Sequence, residues 1–317
     1  MNRIQHLSLT LIFLFVTAVS FSQNIIRTTL PDTISYWTKK NKVGLDISQI
    51  SFVNWNAGGN NSISGLAKGN FIRTYERKNT MWNTELILRY GLNKQDGQEL
   101  RKTDDQIQLN STFGFRRDTI SKWYFGGKFN FNTQFYNGYS YPNTDVAISK
   151  PFAPAYTFFG VGAEYDNKEH KLKVYLSPLT QKTTFVLDSR LANSGSYGVE
   201  AAVYDIDGNM IRRGKKTKTE VGVLVTSQWE KEILKNIEFE NRISLYSDYL
   251  NKFGNIDIDW QMQLEMTVNE FVKANIGTAL LYDDDIKAKK DVNGEQITVG
   301  PKIQLKQILG IGAVYTF

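Results

Sequence analysis

Few residues in this chain are of the kind that makes and breaks bonds, and their positions restrict what they could do. There are two histidines, His6 and His170, and no cysteine. A missing thiol removes thiolate catalysis, disulfides and thiolate metal sites. A Ser–His–acid hydrolase would need His170 as its base, because His6 falls in an N-terminal stretch read below as a leader. His170 follows Glu169 in what reads as a short turn, where a structural or solvated histidine is the plainer reading. The oxygen-ligand candidates for calcium are Asp104-Asp105, Asp283-Asp284-Asp285 and Asp205-Ile206-Asp207-Gly208-Asn209. The last begins as a calcium loop does but lacks a glutamate at its twelfth place, so a plain turn is expected. The sequence therefore predicts a protein that is not an enzyme and holds no metal or cofactor.

More telling is the charge laid along one side of alternating segments. Over 255–268, Ile256, Ile258, Trp260, Met262, Leu264, Met266 and Val268 alternate with Asp257, Asp259, Gln261, Gln263, Glu265 and Thr267. Over 123–136, Trp123, Phe125, Phe129, Phe131 and Phe135 oppose Lys128, Asn130, Asn132 and Gln134. A period of two is the mark of a strand with unlike faces. A strand between two sheets would not tolerate so many acids and amides on one side. A strand with lipid outside and a wet interior wants that pattern. The inward face would then carry Glu85, Arg89, Arg116, Lys128, Lys173, Glu220, Glu238, Glu240, Arg242, Asp257, Asp259, Glu265 and Lys273. Both signs occur in number, so a polar interior crossed by ion pairs and water is expected, not a wide ion-selective pore.

Twelve such segments are marked by the pattern: about 43–53, 63–75, 81–93, 105–117, 122–136, 156–166, 170–178, 217–230, 237–249, 256–268, 271–283 and 303–317. Connections after the even-numbered strands are short and the others mostly longer, which is how an outer-membrane barrel arranges periplasmic turns and external loops. The fold expected is all-β: a transmembrane, antiparallel, up-and-down β-barrel of about twelve strands. Residues 179–216 read as a long external loop with its own hairpin. If its two strand-like stretches crossed the membrane, the count would be fourteen. Aromatics gather near the proposed strand ends, at Trp55, Trp82, Trp123, Trp229, Tyr249 and Tyr282, where interfacial girdles would place them.

The ends of the chain agree with export. Residues 1–22 read as a signal peptide, with Arg3 ahead of an apolar run and Ser20-Phe21-Ser22 before the expected cut; the run is shorter than the ~20 residues of a spanning helix. Residues 23–42 read as a periplasmic lead-in and 43–317 as the barrel. At the other end, Leu309, Ile311, Ala313, Tyr315 and Phe317 share one face and finish on an aromatic residue. That ending resembles the signal read by the barrel-assembly machinery, and the terminal strand must pair with the first to remove an exposed edge. Outer-membrane lipid and that machinery are thus the expected partners. The net charge of +6 is spread along the chain, and no nucleic-acid module accompanies it.

Two motifs carry a family resemblance: Phe52-Val53-Asn54-Trp55-Asn56-Ala57-Gly58-Gly59-Asn60-Asn61-Ser62, and Ser177-Pro178-Leu179-Thr180-Gln181-Lys182-Thr183-Thr184-Phe185-Val186 followed by Ser194-Gly195-Ser196-Tyr197-Gly198-Val199. Through them the chain resembles an uncharacterised family of Bacteroidota outer-membrane proteins, domain of unknown function 3078. The resemblance implies an outer-membrane location and brings no activity. Physically, Asn54, Trp55, Gly58, Gly59 and Asn60 suit a tight loop with backbone freedom at the glycines and local side-chain bonds from the asparagines. The expected role is a non-enzymatic barrel for small-solute passage, or for structure or assembly in the envelope. The alternatives are an outer-membrane hydrolase acting on lipid or peptide and a soluble, lipocalin-like carrier.

Overall fold

A computed structural model describes residues 35–51, 60–251, 253–292 and 295–317. The leader at 1–22, most of the lead-in and the loop residues Asn54, Trp55, Gly58 and Gly59 lie outside the described residues. Asn60 is described and is exposed outside any strand.

The alternating segments fold as twelve long antiparallel strands in one closed barrel. In chain order they are β1 (Trp37–Ile50), β2 (Ser62–Arg77), β3 (Thr80–Gln95), β4 (Arg101–Phe115), β5 (Trp123–Thr133), β6 (Ala155–Asn167) and β7 (Leu172–Phe185). A short helix α1 (Ser189–Asn193) and a small hairpin, β8 (Val203–Tyr204) with β9 (Met210–Arg212), then precede β10 (Thr217–Leu234). The barrel continues with β11 (Ile237–Asp248), β12 (Asp257–Thr267) and β13 (Val272–Tyr282); a second hairpin, β14 (Lys287–Val292) with β15 (Glu295–Pro301), precedes the last strand, β16 (Gln304–Thr316). Each barrel strand pairs with its neighbour in sequence, and β16 returns to pair with β1. Closure is the physical answer to edge strands, since it leaves no row of unpaired N–H and C=O groups.

The closing seam runs from Lys42 opposite Thr316 to Asp46 opposite Gly312. Asn41 and Phe317 exchange two backbone hydrogen bonds of 3.0 Å beyond it, and the Asn41 amide donates to the Phe317 carbonyl as well. Leu309, Ile311, Tyr315 and Phe317 all point outward and are exposed. The turns at 78–79, 116–122, 168–171, 235–236 and 268–271 stand against mostly longer connections on the other rim, where 134–154, 186–216 and 283–303 are long and 96–100 and 249–256 short. Lys78 and Asn236 take positive φ values of 50° and 66° in the two-residue turns, as such tight hairpins require.

Several boundaries differ from the sequence reading, β4 beginning at Arg101 and β10 running on to Leu234 among them, and three have a physical reason. Strand β1 begins at Trp37, so 37–42, assigned to the lead-in, are barrel. Strand β5 ends at Thr133 because the Asp105 carboxylate takes the backbone N–H groups of Phe135 and Tyr136 at 2.7 and 3.0 Å. Strand β7 runs past Pro178 to Phe185, and 179–216 adds no extra strand pair to the wall. Proline has no N–H for a ladder, yet here it sits at an irregularity where the register with both β6 and β10 shifts. Ser177 Oγ bridges that point by donating within reach of the Val161 and Leu179 carbonyls, at 2.9 and 3.0 Å. Gly126 in β5 has a steric reason, because a Cβ there would lie 2.0 Å from the Phe113 carbonyl oxygen.

Candidate binding cavity

The strand register sends the polar side of each segment inward, and opposite charges meet there across the bore. Arg242 on β11 grips Glu85 on β3 with two nitrogens, at 2.9 and 3.1 Å. In the order of the barrel these two strands are six apart out of twelve, so the pair spans a diameter. Asn70 and Asn110 also donate to Glu85, at 2.8 and 3.2 Å, and Glu240 accepts from Arg242. Arg89 and Lys306 converge on Asp104 at 2.8 and 2.5 Å. Glu265 receives Lys42 from across the seam and Lys273 at 2.5 Å, while Lys68 reaches Asp46 at 2.7 Å. A bidentate arginine–carboxylate pair of this kind is among the stronger polar contacts a protein makes.

The bore holds a cavity of about 390 Å³, lined from Asn83, Glu164 and Lys173 to Tyr197 and Asp283 on the long-loop side. Its wall mixes amides and hydroxyls with rings, among them Tyr156, Phe158, Tyr175 and Tyr246. Glu85, Lys128, Asp257, Asp259 and Arg242 all contribute to it. Lys173 lines it as well, with Asp166 at 3.9 Å, and the other lumen residues named from the sequence lie elsewhere. Arg89 and Glu265 sit in the ion pairs just described. Arg116 is at the short-turn end, donating to the carbonyls of Ser121 and Lys78 at 3.4 and 3.2 Å and lying 5.1 Å above the Tyr124 ring.

The most connected cation of the cavity, Lys182, falls where the sequence predicts a loop. Its ammonium lies 2.6 Å from Asp257 and 3.1 Å from Asp283, with Glu220 at 3.8 Å. The inward run Thr180, Lys182, Thr184 continues the period of two beyond Pro178, and this was the signal for it. Asp257, Asp283 and Asp284 bring carboxylate oxygens within 4.8 Å of one another, the spacing of a cation site. Lys182 already supplies the positive charge between two of them, and Asn255 donates to Asp284 at 2.7 Å. Asp205 accepts the backbone N–H groups of Asp207 and Asn209 at 3.0 and 2.7 Å, so that motif is a turn. His170 is exposed in the 168–171 turn and takes no part in the cavity wall.

Long-loop segments cover one side of the mouth. Val186, Leu191, Ala192, Val199 and Ala153 form a small buried cluster, with Tyr197 packed on it. Tyr197 also lines the cavity and donates to the Ile148 carbonyl at 2.7 Å; burial pushes its phenol up to about 12. Asp188 caps α1 through the Leu191 N–H at 3.0 Å and holds Lys150 at 2.7 Å. The Lys150 bond, helped by the cap, keeps this carboxyl below its ordinary value of 3.8.

Residues 47–139 match a family described as Protein of unknown function (DUF3078). The match takes in the Asn54–Asn60 motif and stops short of the second motif at 177–199. No curated protein matches the chain. Among solved structures the chain is similar to the translocator domain of autotransporter NalP from Neisseria meningitidis, at 8% identity and TM-score 0.35, covering 98% of this chain and 96% of that one. It is similar also to an outer membrane channel from Pseudomonas putida F1, at 9% identity and TM-score 0.39, covering 91% and 100%. A third is the beta domain of the Bordetella autotransporter Brka, at 8% and 0.32, covering 89% and 99%.

Proposed function

We propose that this chain is an outer-membrane β-barrel with an occluded bore, acting as a binding or structural component of the envelope and neither as an open pore nor as an enzyme. The observation that carries the reading is the Arg242–Glu85 pair across a diameter, with further ion pairs along the bore. Opening a free path would strip buried charges of their partners, which is costly in a low-dielectric wall.

The membrane part of the reading draws on an inverted burial pattern. Glu85, Asp104, Glu164, Lys182 and Glu220 are buried, while Ile47, Phe125, Phe159, Leu309 and Ile311 are more than half exposed. Soluble proteins do not leave an apolar belt of that extent to water, and a lipocalin-like carrier needs the reverse arrangement. At the short-turn rim Trp37, Tyr75 and Trp82 form one ring cluster, with centroids 5.2 and 5.9 Å apart, and Trp123 meets Tyr165 at 5.3 Å. Interfacial aromatics of outer-membrane barrels form such girdles. The exposed terminal residues of β16 are the proposed recognition element for barrel assembly. The non-enzymatic reading draws support from the position of the mature chain's one histidine, outside the cavity.

Planar-bilayer recording on the detergent-folded protein tests occlusion. The expected trace shows no large, stable conductance step. A reproducible open step of porin size would refute it. Separation of cell membranes, with heat-modifiable migration on a gel, tests the location in parallel.

A further inference from the structure

Nine charged side chains line the cavity, and they divide in a way that specifies a ligand. Six have a partner of opposite sign within 4 Å. Lys128, Glu164 and Asp259 have none among the described residues. Lys128 spends one of its three donors on the Thr226 hydroxyl, at 2.9 Å, and lies 5.3 Å above the Tyr175 ring. Asp259 accepts only from the Gln261 amide, at 3.0 Å. Glu164 is 5% exposed and makes no side-chain hydrogen bond or ion pair among the described residues. Charges inside a barrel wall are paired or hydrated. Here the pairing is complete everywhere around the cavity except at one base and two acids, and all three face the same space.

That space also has an apolar side. Tyr156 and Phe158 line it, and the hydroxyl of buried Tyr246 is left without a partner among the described residues. The volume lies in the range of small-molecule sites.

We infer that the cavity binds a small zwitterion of the amino-acid or short-peptide class, its carboxylate on Lys128, its ammonium on Glu164 or Asp259, and its side chain among Tyr156, Phe158 and Tyr246. A ligand with one carboxylate and one or more amines meets the charges the wall leaves over. A plain sugar would leave them unmet, and a simple anion would meet only Lys128. The inference goes beyond the envelope reading and rests on the closed barrel alone.

Isothermal titration of the full chain folded in detergent tests it, using phenylalanine, phenylalaninamide, N-acetylphenylalanine and glucose as probes. Phenylalanine is expected to bind. Loss of either charge is expected to weaken binding tenfold or more, the usual worth of one charged hydrogen bond. In Lys128→Met, acid and amide should bind alike; heat-modifiable migration checks that the variant is folded. The ligand-side analogues keep the test decisive should that variant misfold. No binding of phenylalanine at millimolar concentration, equal binding of acid, amide and N-acetyl forms, or binding of glucose alone would overturn the inference. A failure of the barrel reading itself would show separately, as migration that heating leaves unchanged.

Discussion

Arg242 and Glu85 show what a single side chain is asked to do inside a barrel. Each is a charge with little water of its own, and each exists there because the other does. Truncating either one strands its partner, so Arg242→Ala or Glu85→Ala should cost about 1–3 kcal/mol, the desolvation penalty of one unsatisfied buried polar group. The double variant should cost less than the two single costs added, a coupling that a double-mutant cycle in urea-induced unfolding would read; strict additivity would mean that the two charges are not partners. Asp188 makes the complementary case in the long loop. Its folded pKa lies below the ordinary 3.8, so its contribution is fully present above 3.8 and is lost as pH falls through the depressed folded value. Proteolytic nicking within 186–216 should therefore increase in strong acid and be flat from pH 5 to 7, and Asp188→Asn should show the raised susceptibility at neutral pH already. Among these residues Glu85 and Arg242 were legible in the sequence, because each sits on the polar side of a clean alternation. That they meet was not, since strand order and stagger set which inward residues face each other across the bore.

Strand β16 is the element on which closure depends, and the residue that follows it separates two roles. Phe317 forms two reciprocal backbone bonds with Asn41, accepts a third from its amide, and stacks on Tyr315 with ring centroids 5.5 Å apart. Removing Phe317 should lose a few hydrogen bonds worth about 1 kcal/mol each, a loss that a barrel with eleven intact strand pairings survives. Refolding into detergent should accordingly still give a heat-modifiable band. If the terminal aromatic is also what the assembly machinery reads, the amount folded in cell membranes should fall several-fold, and equal yields in cells would remove that role. The strands themselves were largely legible: all twelve fall where the period of two places them. The errors lie where a local rule met a tertiary exception. Pro178 reads as a strand end, but the barrel absorbs it as an irregularity bridged by Ser177. The Lys39-Asn41 stretch reads as a solvated lead-in because its charges have no apolar alternation to betray a strand, while pairing along the full length of β2 extends the strand back to Trp37. Conversely, Phe135 and Tyr136 continue the pattern of β5 in sequence and are drawn off by Asp105.

For the molecule as a whole, burial is turned inside out, and only the solvent outside can justify that. The outward residues Phe125 and Phe159 lie on the neighbouring strands β5 and β6, and Leu309 and Ile311 on β16 on the other side of the wall, so the apolar surface is a belt and not one sticky patch for a partner. A belt demands hydrocarbon all the way round, and this makes a prediction that separates a membrane barrel from a soluble one of the same shape. Ile311→Arg places a cation on the outer face near the middle of the closing strand. In a bilayer an arginine at mid-depth costs about 2–4 kcal/mol, falling toward zero near either interface, whereas a surface substitution on a soluble protein stays within about 0.5 kcal/mol. Reversible urea unfolding in lipid vesicles should show the large cost for Ile311→Arg and a small one for Tyr315→Arg, which lies at the short-turn rim. A uniformly small cost at both positions would place the exterior in water, and the charged lumen would then need another explanation.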